Sequence, residues 1–258
     1  MELVLTRLET YISGLGQVMV ALSGGVDSAL LAFLARKTLP KEKVLAVTGD
    51  SASVPSRDRD SVQEFCRQHD IPHRFLPTYE MEDPNYLSNP ENRCFFCKQE
   101  LYRRLKQFAV EKGFTAILDG TQVDDLKGHR PGQKAIEQEG ILTPYLTLEM
   151  NKAMIRELAA YFQLQVAKKP QAACLSSRIP TGTAIAETAL RQIDTAENLL
   201  RDLGFVNPRV RFHGDLARLH LTAEDTQRCL TMREQVTASL KHLGFQHVTI
   251  DLQVYDRE

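Results

Sequence analysis

Residues 23–28, Ser-Gly-Gly-Val-Asp-Ser, place two glycines, two hydroxyls and a carboxylate within six positions. They follow an apolar run, QVMVAL (17–22), and precede a helical pattern over 27–39. Glycines let a backbone come close to an anion. The N–H groups of such a turn, and of the helix start after it, favour phosphate. Asp27 does not suit a pure anion site. A carboxylate there is explained by a Mg²⁺ ion held against the phosphates of a nucleotide. Ser23, Gly24, Gly25, Asp27 and Ser28 are therefore the candidate nucleotide-binding residues. No lysine follows the glycines, so this is not the GxxxxGK[ST] loop.

The second set of reactive residues is cysteine. Cys94 and Cys97 form a CxxC, which alone serves equally as a redox pair, half a zinc site or half an iron–sulfur site. No second CxxC occurs, which argues against a Cys₄ zinc site. Cys174 lies in AACLSSR, inside the Pro-, Ser- and Gly-rich stretch 168–182. If that stretch folds back over the strand ends, three thiolates meet near the nucleotide. Three thiolates can hold a [4Fe–4S] cluster with one iron left open to an added sulfide. Zinc with a fourth His or Asp ligand, and three thiols without metal, are the alternatives. Cys66 and Cys229 lie within helical patterns and read as packed thiols. An odd total of five cysteines argues against a disulfide framework.

Anion-binding side chains form a third set. No carboxylate occurs from Leu158 to Ala186, whereas Lys168, Lys169 and Arg178 do. Such a stretch suits a strongly anionic substrate. Ser177-Arg178 reads as a clamp for phosphate or carboxylate, because the guanidinium fork matches either group. Arg209 and Arg211 alternate with apolar residues and share one face of a strand; a solvated outer face is the alternative. Glu197, in the middle of a helical pattern, reads equally as a surface residue. The segment 120–135 follows a strand end and is poor in hydrophobes. Gly120, Asp124 and Asp125 there are placed to bind metal or nucleotide, and Arg130-Pro131-Gly132 reads as a rigid turn beside them.

These residues need a frame. Helical spacing is expected over 2–13, 27–39, 55–69, 92–112 and 151–162. Buried strands are expected at 17–22, 43–48, 73–78 and 115–120. The alternation predicts an α/β fold, an open, parallel, doubly wound sheet with helices on both faces, over residues 1–167. After the linker 168–182 the pattern changes to α-β-β-α-β. A helix over 185–203 is followed by a hairpin over 209–221 that turns at His213-Gly214-Asp215. A helix over 222–243 and a strand over 247–255 complete a smaller α+β domain, 183–258. The formal net charge of -1 argues against nucleic acid as the main partner. The apolar runs are far short of the ~20 residues that cross a bilayer. With no signal-peptide pattern at the start, a cytoplasmic location is expected.

The turn 23–28 resembles the PP-loop, SGGxDS, of the ATP pyrophosphatase superfamily, whose fold is adenine nucleotide alpha hydrolase-like. Members cut ATP between the α- and β-phosphates and attach AMP to a carbonyl or carboxyl oxygen. A nitrogen or sulfur nucleophile then displaces the AMP. The wider set ALSGGVDS (21–28), NRCFFCK (92–98), DGTQVDD with RPG (119–132), KPQAACLSSRIPTG (169–182) and RVRFHGDLARLHL (209–221) is similar to that of the LarE-type ATP-dependent sulfur transferases. These enzymes insert sulfur during assembly of the nickel-pincer nucleotide cofactor of lactate racemase.

The resemblance implies adenylation of a carboxylate of pyridinium-3,5-biscarboxylic acid mononucleotide and its replacement by a thiocarboxylate. It implies ATP and Mg²⁺. It makes Cys174 and Asp27 the catalytic pair, and Ser177, Arg178, Glu197, Arg209 and Arg211 the lining of a substrate-phosphate site. In one branch of the family the sulfur is cut from the linker cysteine, here Cys174. In a three-cysteine branch, which this sequence fits better, Cys94, Cys97 and Cys174 would hold a [4Fe–4S] cluster carrying the sulfide. A homo-hexamer, and contact with other enzymes of the pincer-cofactor pathway, are implied as well. The rivals are a tRNA thiolase of the same superfamily and a nucleotide-binding regulator with structural zinc. An ammonia-using synthetase such as NAD synthetase leaves the cysteine trio unexplained.

Overall fold

A computed structural model describes residues 2–127, 131–170 and 173–254. Four short strands, β1 (Val18–Ala21), β2 (Val44–Asp50), β3 (His73–Pro77) and β4 (Ala116–Leu118), form a parallel sheet in the order β3-β2-β1-β4. The register pairs Val18 with Val44 on one side and with Ala116 on the other. All four residues of β1 are buried. Val18 and Val20 pack with α1 (Glu2–Ser13), α2 (Val26–Thr38) and Leu158 of a later helix. Met19 and Ala21 face the other way, onto Tyr102, Leu105 and Ala109 of a long helix and Ala135 and Ile136 of a short one. A strand buried on both faces needs apolar residues without alternation, and that is how QVMVAL reads.

The chain steps outward from β1 to β2 to β3, then returns across β1 to add β4. The connections after β1 and β4 therefore leave the sheet in opposite directions. Such a switch point opens a crevice beyond the strand ends, where ligands bind in sheets of this kind. The helices that frame it are α3 (Ser56–Gln68), α4 (Arg93–Lys112), α5 (Gly132–Glu139) and α6 (Lys152–Tyr161). Gly113, at φ 76°, ends α4 in the left-handed conformation, and the Asn151 side chain caps α6 by accepting from the Met154 N–H.

A second unit is built from Ala52–Arg57, Pro84–Glu91 and the chain from Ala173 on. The two early segments are stitched to the later chain inside it. The Leu175 N–H donates to the Ser53 carbonyl at 2.8 Å, and the Asn89 amide donates to the carbonyls of Pro180 and Thr183. The expected linker is thus divided, since residues from Ala173 on count with the second unit. Here α7 (Glu187–Asp202) and strands β5 (Arg209–His213), β6 (Leu216–His220) and β7 (His247–Ile250) enclose Leu200, Val210, Ala217, Leu219 and Phe245. β5 and β6 are antiparallel, and β7 runs parallel to β6.

Three expectations are corrected. The single helix over 222–243 is two, α8 (Ala223–Thr231) and α9 (Arg233–His242), broken at Met232. The segment 120–135 is not simply a loop, because a 3₁₀ turn at Val123–Leu126 and the start of α5 lie in it. The last strand stops at Ile250, and Tyr255, the end of the expected strand, lies outside the described residues. Among the described residues no helix is long and apolar enough to cross a membrane.

Candidate active site

The glycine turn leaves β1 at the switch point and is closed by its own hydroxyls. The Ser23 N–H donates to Ser28 Oγ at 3.1 Å, the two serine hydroxyls stand 3.0 Å apart, and Ser28 Oγ donates to the Gly25 carbonyl at 3.2 Å. Gly24 adopts φ 79°, and a Cβ there would lie 2.7 Å from Val62 Cγ2, so both conformation and space demand glycine. Gly25 caps α2 without a side-chain bond, which leaves the first N–H groups of that helix for an anion.

Gly120, after β4, closes the other wall. A Cβ on it would stand 2.8 Å from the Ser28 nitrogen, so the two connections touch backbone to backbone. This contact brings the turn of β1 and the loop of β4 together, as the sequence reading of both segments requires.

Asp27 is held from two directions. Its Oδ2 accepts from Lys152 Nζ at 2.5 Å, and its carbonyl accepts from the Tyr145 hydroxyl at 3.0 Å. Its Oδ1 is buried and accepts no hydrogen bond among the described residues. A buried, unpartnered carboxylate oxygen beside a phosphate-binding turn fits a divalent cation. Mg²⁺ needs only one or two carboxylates, because phosphates and water complete its octahedron.

Asp124 and Asp125 are engaged locally. Asp124 accepts from the backbone N–H of Lys152 at 3.0 Å and from Lys127 Nζ at 2.8 Å, and these contacts hold its carboxyl below the usual range. Asp125 accepts from the Gln122 N–H at 3.1 Å in a capping box. Both therefore shape the loop and the start of α6. Arg130 lies outside the described residues.

The sequence reading passed over Asp119, the residue before Gly120. It is mostly buried, and desolvation alone would raise its pKa. The Lys98 ammonium 3.7 Å away and hydrogen bonds from Thr121 and Tyr102 outweigh that and keep it ionised. Tyr102 in turn is pushed well above its ordinary pKa, first by burial and then by the Asp119 charge. Lys98 directly follows the CxxC on α4 and Tyr102 lies one turn further along, so the strand end is tied to the helix that carries the thiols.

None of the five cysteines is in a disulfide. Burial pushes the Cys66 thiol up to about 12, which makes it inert at neutral pH. Cys229 is raised for the same reason. Cys94 is exposed and Cys97 half-buried, three residues apart at the start of α4, so both face the same way. Cys174, half-buried, precedes the short 3₁₀ turn Leu175–Arg178 of the second unit. Cys94 and Cys97 offer two thiols one helical turn apart, of the kind that iron–sulfur and zinc sites take. Among the described residues, however, no three His, Cys, Asp or Glu side chains are gathered so as to hold a metal ion.

Around Cys174 the second unit builds a cationic frame. Arg178 is buried and bidentate to Glu197, at 2.8 and 3.1 Å. It also donates to the Ala173 carbonyl at 2.9 Å and to Ser177 Oγ at 3.0 Å. Glu197 is fully buried and accepts further from Arg201 and from the Val210 N–H. Glu197 is thus an internal counter-ion rather than a surface residue, and it acts on any ligand through the arginines it holds. Arg211 donates to the Ser177 carbonyl at 2.6 Å. Its own pKa is lowered by burial and then by the charges of Arg178, Arg209 and Arg218.

The hairpin register pairs Arg211 with Arg218 and Arg209 with His220, all on one face. Like charges directly opposite in a sheet repel, so this face calls for an anion. Arg218 was legible in advance: counting back from the turn at Gly214 pairs it with Arg211. Lys152 had no such signal.

A family described as NAD synthase matches residues 4–84, the segment that carries the glycine turn and the first three strands. An uncharacterized protein of Synechocystis sp. is 35% identical over 257 residues, covering 99% of this chain and 96% of its own. The pyridinium-3,5-bisthiocarboxylic acid mononucleotide synthase of Lactiplantibacillus plantarum is 32% identical over 238 residues, covering 92% of this chain and 86% of its own. An uncharacterized protein of Methanocaldococcus jannaschii is 24% identical over 239 residues, with 93% and 90% coverage.

Proposed function

The chain belongs to the LarE-type ATP-dependent sulfur transferases of the PP-loop superfamily, and we propose that it converts a carboxylate of pyridinium-3,5-biscarboxylic acid mononucleotide into a thiocarboxylate. The observation that carries this reading is the 32% identity to a bisthiocarboxylate nucleotide synthase across 92% of the chain, which includes both the glycine turn and the arginine-rich hairpin. The match to the NAD synthase family supports only the nucleotide half, since it ends at residue 84.

The chemistry follows from leaving groups. An oxide is not expelled from a carboxylate at neutral pH, whereas AMP leaves readily from an acyl adenylate. The substrate carboxylate oxygen attacks the α-phosphorus of ATP, and the bond to the bridging oxygen breaks with its electron pair on pyrophosphate. A sulfur nucleophile then adds to the acyl carbon and AMP departs. In this chain the Gly24 N–H and the start of α2 bind the phosphates, while the Ser23 and Ser28 hydroxyls hold the turn in shape. Asp27 Oδ1 would be the protein oxygen that holds Mg²⁺, and the ion would supply neutralisation of phosphate charge. Gly120 lets the second wall approach. Arg209 and Arg211 receive the phosphate of the nucleotide substrate, and Arg178 with Ser177 fixes the turn beside Cys174.

For the sulfur source we favour the three-cysteine arrangement, in which Cys94, Cys97 and Cys174 hold a [4Fe–4S] cluster. A bound cluster of that kind would offer an open iron to carry sulfide. The support is three cysteines outside any disulfide and none of them buried, two of them one helical turn apart. A homo-oligomer as large as a hexamer, work alongside other pincer-cofactor enzymes and a cytoplasmic location belong to the same proposal. The test is an anaerobic incubation of reconstituted protein with ATP, Mg²⁺ and the biscarboxylate nucleotide. The expected result is pyrophosphate, AMP and a product in which oxygen has been exchanged for sulfur. Pyrophosphate release with tRNA but not with the nucleotide would overturn it.

A further inference from the structure

The chain enters the glycine turn through one peptide plane, the one between Leu22 and Ser23. Its N–H, on Ser23, donates to Ser28 Oγ at 3.1 Å. Its carbonyl, on Leu22, accepts from Thr48 Oγ1 at 2.7 Å. A peptide group is rigid, so a plane held at both ends has one orientation. Thr48 is buried near the end of β2, in a row with Val44 and Ala46, which pack in one core with Val18, Val20 and Leu22. Valine would fill that place with the same shape, so a hydroxyl there needs a reason. We propose that Thr48 and His73 are positioning residues of the nucleotide site: they fix the peptide plane that leads into the glycine turn, and so aim the turn at the phosphates. This rests on the ATP reading above and adds to it two residues that act through the turn.

His73 decides where the Thr48 proton points. A hydroxyl has one proton, and the Leu22 carbonyl can only accept, so Thr48 Oγ1 gives its proton there. Only lone pairs are then left for His73 Nε2, 2.9 Å away, so that nitrogen is the donor. In the other neutral tautomer Nε2 would accept, the hydroxyl would turn toward it, and the Leu22 carbonyl would lose its partner. The fold holds the ring in place. His73 pairs with Ala46 and Phe75 with Thr48 in the β2–β3 register, which puts His73 and Thr48 on the same face. The Phe75 ring meets the imidazole edge-on, with centroids 4.7 Å apart. Burial lowers the His73 pKa to about 4 from 6.5, so the ring is neutral at pH 7. Without this chain of bonds the Leu22–Ser23 plane can rotate. The Ser23 N–H then leaves Ser28 Oγ, and Ser23 Oγ moves with it. That oxygen stands 3.0 Å from Ser28 Oγ and accepts from the Gly25 N–H at 3.4 Å. The disturbance therefore reaches the start of α2, where phosphate is expected.

A hydroxyl that served only the packing of β2 would change stability and nothing local, so the test reads the turn itself. Thr48→Val, Thr48→Ser, His73→Leu and His73→Gln variants of the full chain are followed by amide hydrogen exchange without nucleotide, and are titrated calorimetrically with ATP and Mg²⁺. In Thr48→Val and His73→Leu the amides of residues 23–25 should exchange at least about tenfold faster, while those of Val18–Ala21 keep the parent's protection. ATP affinity should fall by about tenfold in both, the scale of one hydrogen bond. Thr48→Ser keeps the hydroxyl and should recover most of both losses. His73→Gln, whose amide can donate in place of Nε2, should recover part. Exchange at 23–25 equal to the parent's, exchange quickened equally along β1, or a serine variant as impaired as the valine variant would overturn the proposal. Urea unfolding is followed in parallel, and Thr48→Ala replaces Thr48→Val should that variant not fold. A parent protein that fails to bind ATP would count against the proposed function, whereas the exchange pattern alone decides for or against Thr48 and His73.

Discussion

Asp27 gives one oxygen to Lys152 and keeps the other buried without a hydrogen bond. That asymmetry sets a prediction. Asp27→Asn keeps the shape but removes the charge that draws a divalent cation, so Mg²⁺-dependent pyrophosphate release should fall by at least about a hundredfold. Unchanged release in a coupled pyrophosphate assay would remove Asp27 from the metal site. Cys174→Ala should stop sulfur transfer while adenylate formation and pyrophosphate release continue; transfer that survives would discard Cys174 both as donor and as ligand. A third residue acts on stability. His73 bonds to Thr48 Oγ1 at 2.9 Å, and burial lowers its pKa to about 4 from 6.5. It stays neutral in the folded chain, whereas the unfolded chain takes up its proton near pH 6.5. Stability should therefore decline as pH falls from about 6.5 toward 4, and His73→Gln should flatten that part of the decline in urea titrations across this range. An unaltered pH profile in the variant would show that His73 carries no such load.

At the scale of elements, the hairpin β5–β6 and helix α7 are joined by Glu197. Its carboxylate holds Arg178, Arg201 and the Val210 N–H in a fully buried position. Glu197→Ala leaves buried guanidinium charge uncompensated and should lower the unfolding free energy by about 3–5 kcal/mol. A denaturant midpoint equal to the parent's would mean that the pair is not the brace described here. Gly120→Ala puts a methyl against the Ser28 nitrogen; it should weaken ATP binding and cost about 1–3 kcal/mol of stability, measured by nucleotide titration and urea unfolding.

The same elements show what a sequence can and cannot reveal. β1 was legible because a strand buried on both faces must be apolar throughout. The hairpin was legible because its two faces differ in polarity. The break at Met232 was not, since neither glycine nor proline marks it, and the apolar positions of α8 and α9 together look like one long helix. The start of α5 was hidden because Pro131-Gly132 has the composition of a turn. Proline is in fact well suited to a helix start, and Gly132 after it lets the Lys98 stem pack close, since a Cβ would stand 2.8 Å from Lys98 Cδ. At the site, the glycine turn was legible from local composition. Lys152 and Asp119 were not, since each acquires its role from a partner that only the fold brings near.

At the scale of the whole molecule, two chemistries are assembled on two units. On the proposed reading the α/β unit splits a nucleotide at the switch point between β1 and β4, and the α+β unit, which gathers positive charge around Cys174, receives the anionic substrate. Two early segments, Ala52–Arg57 and Pro84–Glu91, belong to the second unit. The second unit therefore cannot be cut away as a simple C-terminal piece. The central claim is that an activated carboxylate receives sulfur. Mass spectrometry of both product and protein after an anaerobic turnover with ATP, Mg²⁺ and the biscarboxylate nucleotide tests it most directly. The account predicts a nucleotide in which sulfur has replaced carboxylate oxygen, with the protein mass unchanged. A protein lighter by one H₂S would move the sulfur source from the cluster to Cys174 itself, and a nucleotide recovered without sulfur while ATP is cleaved would contradict the account.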